Sequence, residues 1–251
     1  MIKDKILFYP ENVRNGGKVF AYCQWLGIDN ITDMNADGVI AVFFNHPNPA
    51  CIYPKDETLI ELSKKYKVYN FNCNNTRKSH VAKIHKKVFG YNADVDKNYK
   101  GEILRKSELQ YMRNEKIVDK AIKERDYHYM KYFNTYKNGY YNTYRVPYFN
   151  GDIPCVVNVK RKDPFYRKSR TKIVIKPKTY WFHPDEIRLI KKFCRHMGLD
   201  YGELDIVRNP EDNRIYIIDV NDKPGFRLLG KSRYVKKKFT QAFKEMIYKN
   251  N

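Results

Sequence analysis

The chain has 251 residues, of which 42% are hydrophobic, with 22 Tyr and 14 Phe, enough to bury a core in one large or two small domains and to exclude a disordered tail. Its 49 Lys and Arg against 28 Asp and Glu give a net charge of +21. Such a field attracts phosphates, nucleic acid or an acidic membrane surface, although a composition rich in Lys, Asn and Tyr also arises from bias alone. The start has too short an apolar run for a signal peptide, and no segment is long and apolar enough to cross a bilayer; the expectation is a soluble, cytoplasmic protein. Five cysteines (23, 51, 73, 155, 194) form no Cys-x-x-Cys pair, so they indicate neither a disulfide framework nor a zinc site and read as small buried hydrophobes.

Three short apolar runs, Ile6 to Phe8, Val39 to Phe44 and Val68 to Phe71, flank a helical spacing at Leu59, Ile60 and Leu62, which suggests a small α/β unit. A helix is predicted from Ser79, with Val81, Ile84 and Val88 on one stripe and Gly90 as its stop. Glu102 to Ser107 reads as a strand, and Glu115 to Arg125 as a short charged helix with Ile117, Val118, Ala121 and Ile122 turned inward. An aromatic, β-rich block follows: 128–133, 142–149 and 153–159, the last two joined by an Asn150-Gly151-Asp152 turn, since Asn and Gly accept positive φ cheaply. Lys160 to Lys178 is strongly basic and reads as including a mobile loop. Pro184 opens the clearest helix, with Ile187, Ile190, Phe193, Cys194 and Met197 inward and Gly198 closing it. Two strands, Glu203 to Arg208 and Arg214 to Asn221, precede a basic amphipathic helix containing Phe239, Phe243 and Ile247.

The two late strands carry the chemistry. Side chains alternate across a strand, so Asp219 and Asn221 share one face while Ile218 and Val220 share the other, and Asp205 lies opposite Leu204 and Ile206 in the same way. Paired through the turn at 209–213, the strands bring Asp205 and Asp219 together. Two carboxylates so placed repel unless a cation sits between them or one is protonated, and hard oxygen ligands without imidazole or thiolate favour Mg²⁺ or Mn²⁺ over zinc.

Gly198-Leu-Asp-Tyr-Gly-Glu-Leu-Asp205-Ile-Val-Arg208 and Ile-Ile-Asp219-Val-Asn221-Asp-Lys-Pro-Gly225 resemble the paired metal-binding strands that end ATP-grasp domains. The resemblance implies an α+β chain: an ATP-grasp fold of two subdomains gripping ATP, preceded by a small α/β N-terminal domain. It divides the chain into residues 1–75, a first ATP-grasp subdomain at 76–127 and a second at 128–251. It assigns magnesium to Asp205, Asp219 and Asn221, with Asp219 standing where Glu is more usual. Lys78 and Lys106 match the family's phosphate-contacting lysines. Tyr132 and Phe133 fall at the hinge strand that reads adenine through its backbone, and Arg145 and Lys160-Arg161 match basic residues that neutralise the γ-phosphate or the substrate acid. One departure is the segment Glu108 to Asn114, which holds no glycine where the family has a Gly-rich phosphate lid; Gln110 and Arg113 would have to substitute for backbone donors there.

The function implied is an ATP- and Mg²⁺-dependent ligase that activates a carboxylate as an acyl phosphate for attack by an amine, with Arg145 and Lys160 offsetting charge. One alternative is a kinase for a hydroxyl on an acidic or phosphorylated small molecule, which the positive charge would suit. Another is a single-stranded nucleic-acid-binding protein, in which the Tyr and Phe interleaved with Lys and Arg from Tyr127 to Tyr166 stack bases.

Overall fold

A computed structural model describes residues 3–10, 19–45, 52–109, 114–122, 124–165, 171–224 and 232–249. The chain opens with β1 (Lys5–Pro10), α1 (Val19–Leu26), β2 (Asp29–Ile31), β3 (Val39–Asn45), α2 (Glu57–Lys65) and β4 (Val68–Tyr69). These strands form a parallel sheet in the order β2-β1-β3-β4. Both faces of β1 and β3 are covered: Leu7 and Val42 pack with Leu59 and Leu62 of α2, while Ile6, Phe8, Ala41 and Phe43 turn to the other side. Coverage on both sides is why these strands read as continuous apolar runs. α2 starts where Asp56 accepts the Leu59 N–H at 2.7 Å.

α3 (Lys78–Phe89) ends at Gly90, whose φ of 81° closes it as its sequence predicts. β5 (Ile103–Ser107), β6 (Lys116–Val118) and β7 (Tyr127–Lys131) make an antiparallel sheet in the order β6-β5-β7. The helix expected over Glu115 to Arg125 is not there among the described residues. Lys116 to Val118 instead pair with Arg105 to Ile103 of β5, and Ile117 and Ile122 are 40% and 62% exposed. A helix this short is marginal without a core under its apolar stripe, whereas the edge of β5 offers a ladder.

The remainder is β8 (Tyr136–Lys137), β9 (Tyr140–Phe149), β10 (Val156–Arg161), β11 (Thr171–Lys176), α4 (Lys178–Trp181), α5 (Pro184–Met197), β12 (Tyr201–Arg208), β13 (Ile215–Asn221) and α6 (Arg233–Tyr248). Its strands form a six-stranded antiparallel sheet, β11-β10-β9-β12-β13, with β8 on the end of β9. The Asn150-Gly151 turn between β9 and β10 holds φ of 40° and 97°, as its composition requires. β11 lies within the stretch expected to include a basic loop.

One face of the large sheet, here called the rear, presents Val146, Leu204, Ile206 and Val220 to Val81 and Ile84 of α3 and Ile190 and Phe193 of α5. The front is covered at one end by α6 and the N-terminal sheet, where Phe149 and Tyr201 meet Phe43, Phe239 and Phe243. At its other end it faces the three-stranded sheet. Asn70, buried at φ 61°, stitches the N-terminal unit to the large sheet. Its amide donates to the carbonyls of Tyr201 (2.8 Å) and Asp222 (3.2 Å) and accepts from the N–H groups of Asp200 and Tyr201, both at 2.9 Å.

Candidate active site

β12 and β13 pair antiparallel with Asp205 opposite Asp219 and Glu203 opposite Asn221. On its other side β12 pairs with β9, which sets Arg145 opposite Asp205. Three neighbouring strands therefore place Arg145, Asp205 and Asp219 in one row on the front face. The expected grouping of Asp205, Asp219 and Asn221 is thus present, but the companion expectation for Ile218 is not. A register shift after Asp205 pairs Ile206 with Ile217 rather than Ile218. Ile217 joins Leu204, Ile206 and Val220 in the rear core, and Ile218 turns to the front against Val207 and Met130. The extra residue of a bulge leaves strict alternation invalid beside it.

Cations converge on the row from two other elements. Lys78, at the start of α3, places its ammonium 2.5 Å from Asp219 Oδ1. Lys106, on β5, donates to the Ile218 carbonyl at 3.2 Å. Both lysines are less than a tenth exposed. Burial pulls the Lys106 ammonium below its ordinary range, Asp219 opposes that pull, and Lys78 adds to it. Burial pushes Asp219 upward, but Lys78 and Lys106 outweigh it and hold the carboxyl below the usual carboxylate range. Arg145 Nη1 donates to Glu203 Oε1 at 3.0 Å, and its Nε lies 3.5 Å from Asp205 Oδ1. Asp205 raises the Arg145 guanidinium further, against the effect of burial. Glu203, only 5% exposed, is pushed by burial up to about 7, with Arg145 pulling the other way.

Two carboxylates and the Asn221 amide on one face are a hard-oxygen donor set suited to Mg²⁺. Among the described residues no three His, Cys, Asp or Glu side chains are gathered into a metal cluster.

Beside this row lies a slot between the two sheets, lined by Leu104, Met130 and Phe133 on one side and Val207, Ile218 and Arg161 on the other. Its lining is predominantly apolar. β7 leads into it: the Tyr132 N–H donates to the Glu102 carbonyl at 2.9 Å, Phe133 packs its ring on Tyr216, and Tyr132 packs on Phe165.

Of the residues singled out from sequence, Lys78, Lys106, Arg145, Asp205, Asp219 and Asn221 come together, and Tyr132 and Phe133 border the slot. Lys160 does not join them. It pairs with Asn142 and lines a cavity on the rear face, while its neighbour Arg161 pairs with Tyr141 and reaches the slot. Adjacent strand residues point to opposite faces, so one of the two had to be turned away. Glu203 was overlooked although it stands two residues before Asp205, the spacing that puts both on the front. Gln110 and Arg113 lie outside the described residues, as does Cys51. Cys23, Cys73, Cys155 and Cys194 are free and buried, in keeping with a packing role.

Two sheets closing on an apolar slot, with an acidic hairpin at its end and lysines reaching across, are the architecture of the ATP-grasp fold, and the chain has that fold. Among solved structures, the ATP-grasp ligase PsnB complexed with a minimal precursor matches with a TM-score of 0.63 and 11% identity over 98% of this chain and 99% of that one. The macrocyclase MdnC bound with precursor peptide MdnA, from Microcystis aeruginosa, matches with a TM-score of 0.57 and 13% identity over 99% and 100%. A Chryseobacterium gregarium RiPP-associated ATP-grasp ligase in complex with ADP and a leader and core peptide gives 0.59 and 12% over 99% and 97%. No protein-family model and no curated protein matches the sequence.

Proposed function

We propose that the protein is an ATP- and Mg²⁺-dependent ligase that converts a carboxylate to an acyl phosphate and passes the acyl group to an amine. The observation that carries this reading is the registered row of Arg145, Asp205 and Asp219 with Lys78 and Lys106 aimed at its end. In this reading the slot takes adenine, with Tyr132 and Phe133 at its hinge, and Asp205, Asp219 and Asn221 hold Mg²⁺. The metal would supply charge neutralisation to the nucleotide phosphates. The N-terminal α/β unit (1–75) then precedes two gripping subdomains (76–127 and 128–251).

The carboxylate oxygen attacks the γ-phosphorus, the bond to the β,γ-bridging oxygen breaks, and ADP leaves. The amine then attacks the acyl carbon and inorganic phosphate departs. Transfer spreads negative charge over the equatorial phosphate oxygens, which Lys78, Lys106 and Arg145 are placed to offset. Glu203 holds Arg145 by one nitrogen, which fixes the guanidinium beside the row instead of leaving it mobile. PsnB and MdnC were solved with precursor peptides, so a carboxylate carried on a peptide is the first substrate class to test.

Phosphate release from Mg·ATP would be followed with carboxylates and amines, free and peptide-borne. A ligase frees inorganic phosphate in step with amide product, whereas a kinase leaves the phosphate on its acceptor. A protein that neither binds nor hydrolyses ATP under any of these conditions would end the proposal.

A further inference from the structure

On the rear face, away from the acidic row, the large sheet carries a cavity of about 540 Å³. This is within the range of small-ligand sites. Its inner wall is Asn142, Tyr144 and Asn158 of β9 and β10, its side wall Tyr180 and Trp181 of α4, and Lys137 and Lys160 stand at its margin. Strand alternation separates it from the front: Tyr141, Thr143 and Arg161 line the slot, while Asn142, Tyr144 and Lys160 line this cavity.

Two buried polar atoms here have no partner. Asn142 gives both amide hydrogens away, to the carbonyls of Thr135 (3.1 Å) and Tyr140 (2.9 Å), so its oxygen accepts from Asn158 Nδ2 at 3.2 Å. That chain fixes the orientation of Asn158, which is 2% exposed, and leaves its Oδ1 as an unused acceptor. The Trp181 indole Nε1 is likewise buried without an acceptor. Such atoms are costly to bury unless a ligand or water completes them.

The aromatic wall is rigid. Trp181 packs against Tyr144 (5.2 Å between ring centroids) and Tyr180 (4.8 Å), and its carbonyl is held by Arg208, which is itself forked onto Glu186 at 2.8 and 2.9 Å. Tyr180 and Tyr136 are 64% and 54% exposed, large rings left in water. Lys160 is opposite Lys172 of β11, a like-charge pair that disfavours the sheet. Among the described residues no carboxylate neutralises Lys137, Lys160 or Lys172.

We propose that this cavity is a second ligand site that takes one nucleotide unit, either a free nucleotide or a unit of a single-stranded nucleic acid. The base would stack on the exposed Tyr180 ring, which stands at 82° to Trp181, its edge turned toward Asn158 Oδ1 with a donor and Trp181 Nε1 with an acceptor. The phosphate would be met by Lys137, Lys160 and Lys172. Ring stacking plus a cationic margin is the general means of holding such a unit. An acidic peptide would satisfy the lysines and leave the rings without a planar partner.

The chain has two tryptophans, Trp25 and Trp181, so Trp25→Phe makes Trp181 the sole indole emitter. The full protein, with the front cleft filled by Mg²⁺ and a non-hydrolysable ATP analogue, is titrated with nucleoside monophosphates, a five-nucleotide single strand, inorganic phosphate and an oligoglutamate. The expected result is quenching by nucleotide or strand but not by phosphate or oligoglutamate. Lys160→Glu with Lys172→Glu should weaken it at least about tenfold and, for the strand, lower the slope of log affinity against log salt by about 0.7, the value for one phosphate. Asn158→Leu should abolish it; the double lysine variant, at half-buried Lys160 and exposed Lys172, tests the same site should that buried change fail to fold. Tighter binding of the strand identifies nucleic acid as the source, and equal binding a free nucleotide. The proposal falls if Trp181 does not respond, if inorganic phosphate or oligoglutamate gives the same response, or if the affinity is unchanged in the double lysine variant.

Discussion

Replacing Asp219 by Asn keeps the shape of the side chain and an acceptor oxygen but removes the charge that faces Lys78 at 2.5 Å and opposes the burial of Lys106. Removing one partner of a buried ion pair costs about 3–5 kcal/mol. The Asp219 side chain is 34% exposed, so solvent screens part of the pair, and the expected loss is about 2 kcal/mol. Asp205→Asn supplies the contrast. Its partner Arg145 keeps the shorter bond to Glu203, and the change relieves repulsion with Asp219, so apo stability should move by less than about 0.5 kcal/mol. Urea unfolding of the apo protein reads both values. In the proposed function both carboxylates hold Mg²⁺, so the stabilisation of about 2.7 kcal/mol that Mg·ATP gives at a hundred times its Kd should vanish in either variant. Equal apo destabilisation by the two substitutions would refute the account of how charge is distributed along the row. Full retention of Mg·ATP stabilisation would refute the metal assignment.

Leu104→Trp should block the slot, raising the Kd for ATP at least about tenfold while leaving the urea midpoint close to wild type, as measured by calorimetry and unfolding. Asn70→Ala deletes four hydrogen bonds at a positive-φ site and strands buried backbone groups; a loss of at least about 3 kcal/mol is expected, read by urea unfolding. His85 is 1% exposed and stacked between Phe89 and Tyr216, and burial lowers its imidazole to about 4. The unfolded chain then binds the proton more readily, so stability is complete above pH 6.5 and falls as the pH drops toward 4, by about 3 kcal/mol in all. His85→Phe should flatten that part of the stability profile, measured by thermal unfolding across the range.

Much of the framework was legible because it rests on local rules. Pro184 and Gly198 bound their helix through fixed φ and left-handed closure, and the row of Asp205, Asp219 and Asn221 followed from strand alternation and a short turn. Lys78 and Lys106 were identified by resemblance to a family pattern; spacing alone could not have separated them from the other cations, since what sets them apart is burial beside Asp219. Three features belonged to the tertiary structure alone. The bulge after Asp205 moves Ile218 from the rear core to the slot, because one unpaired residue reverses the side-chain phase. Which of Lys160 and Arg161 reaches the slot is set by the phase of β10 against β9, which the basic run itself does not encode. Residues 116–118 become a strand because β5 has an edge to offer them, and their own apolar spacing was too weak to resist it. The acidic hairpin was written in the sequence; the cations that converge on it, and the aromatic cavity behind it, exist only where distant strands are brought into register.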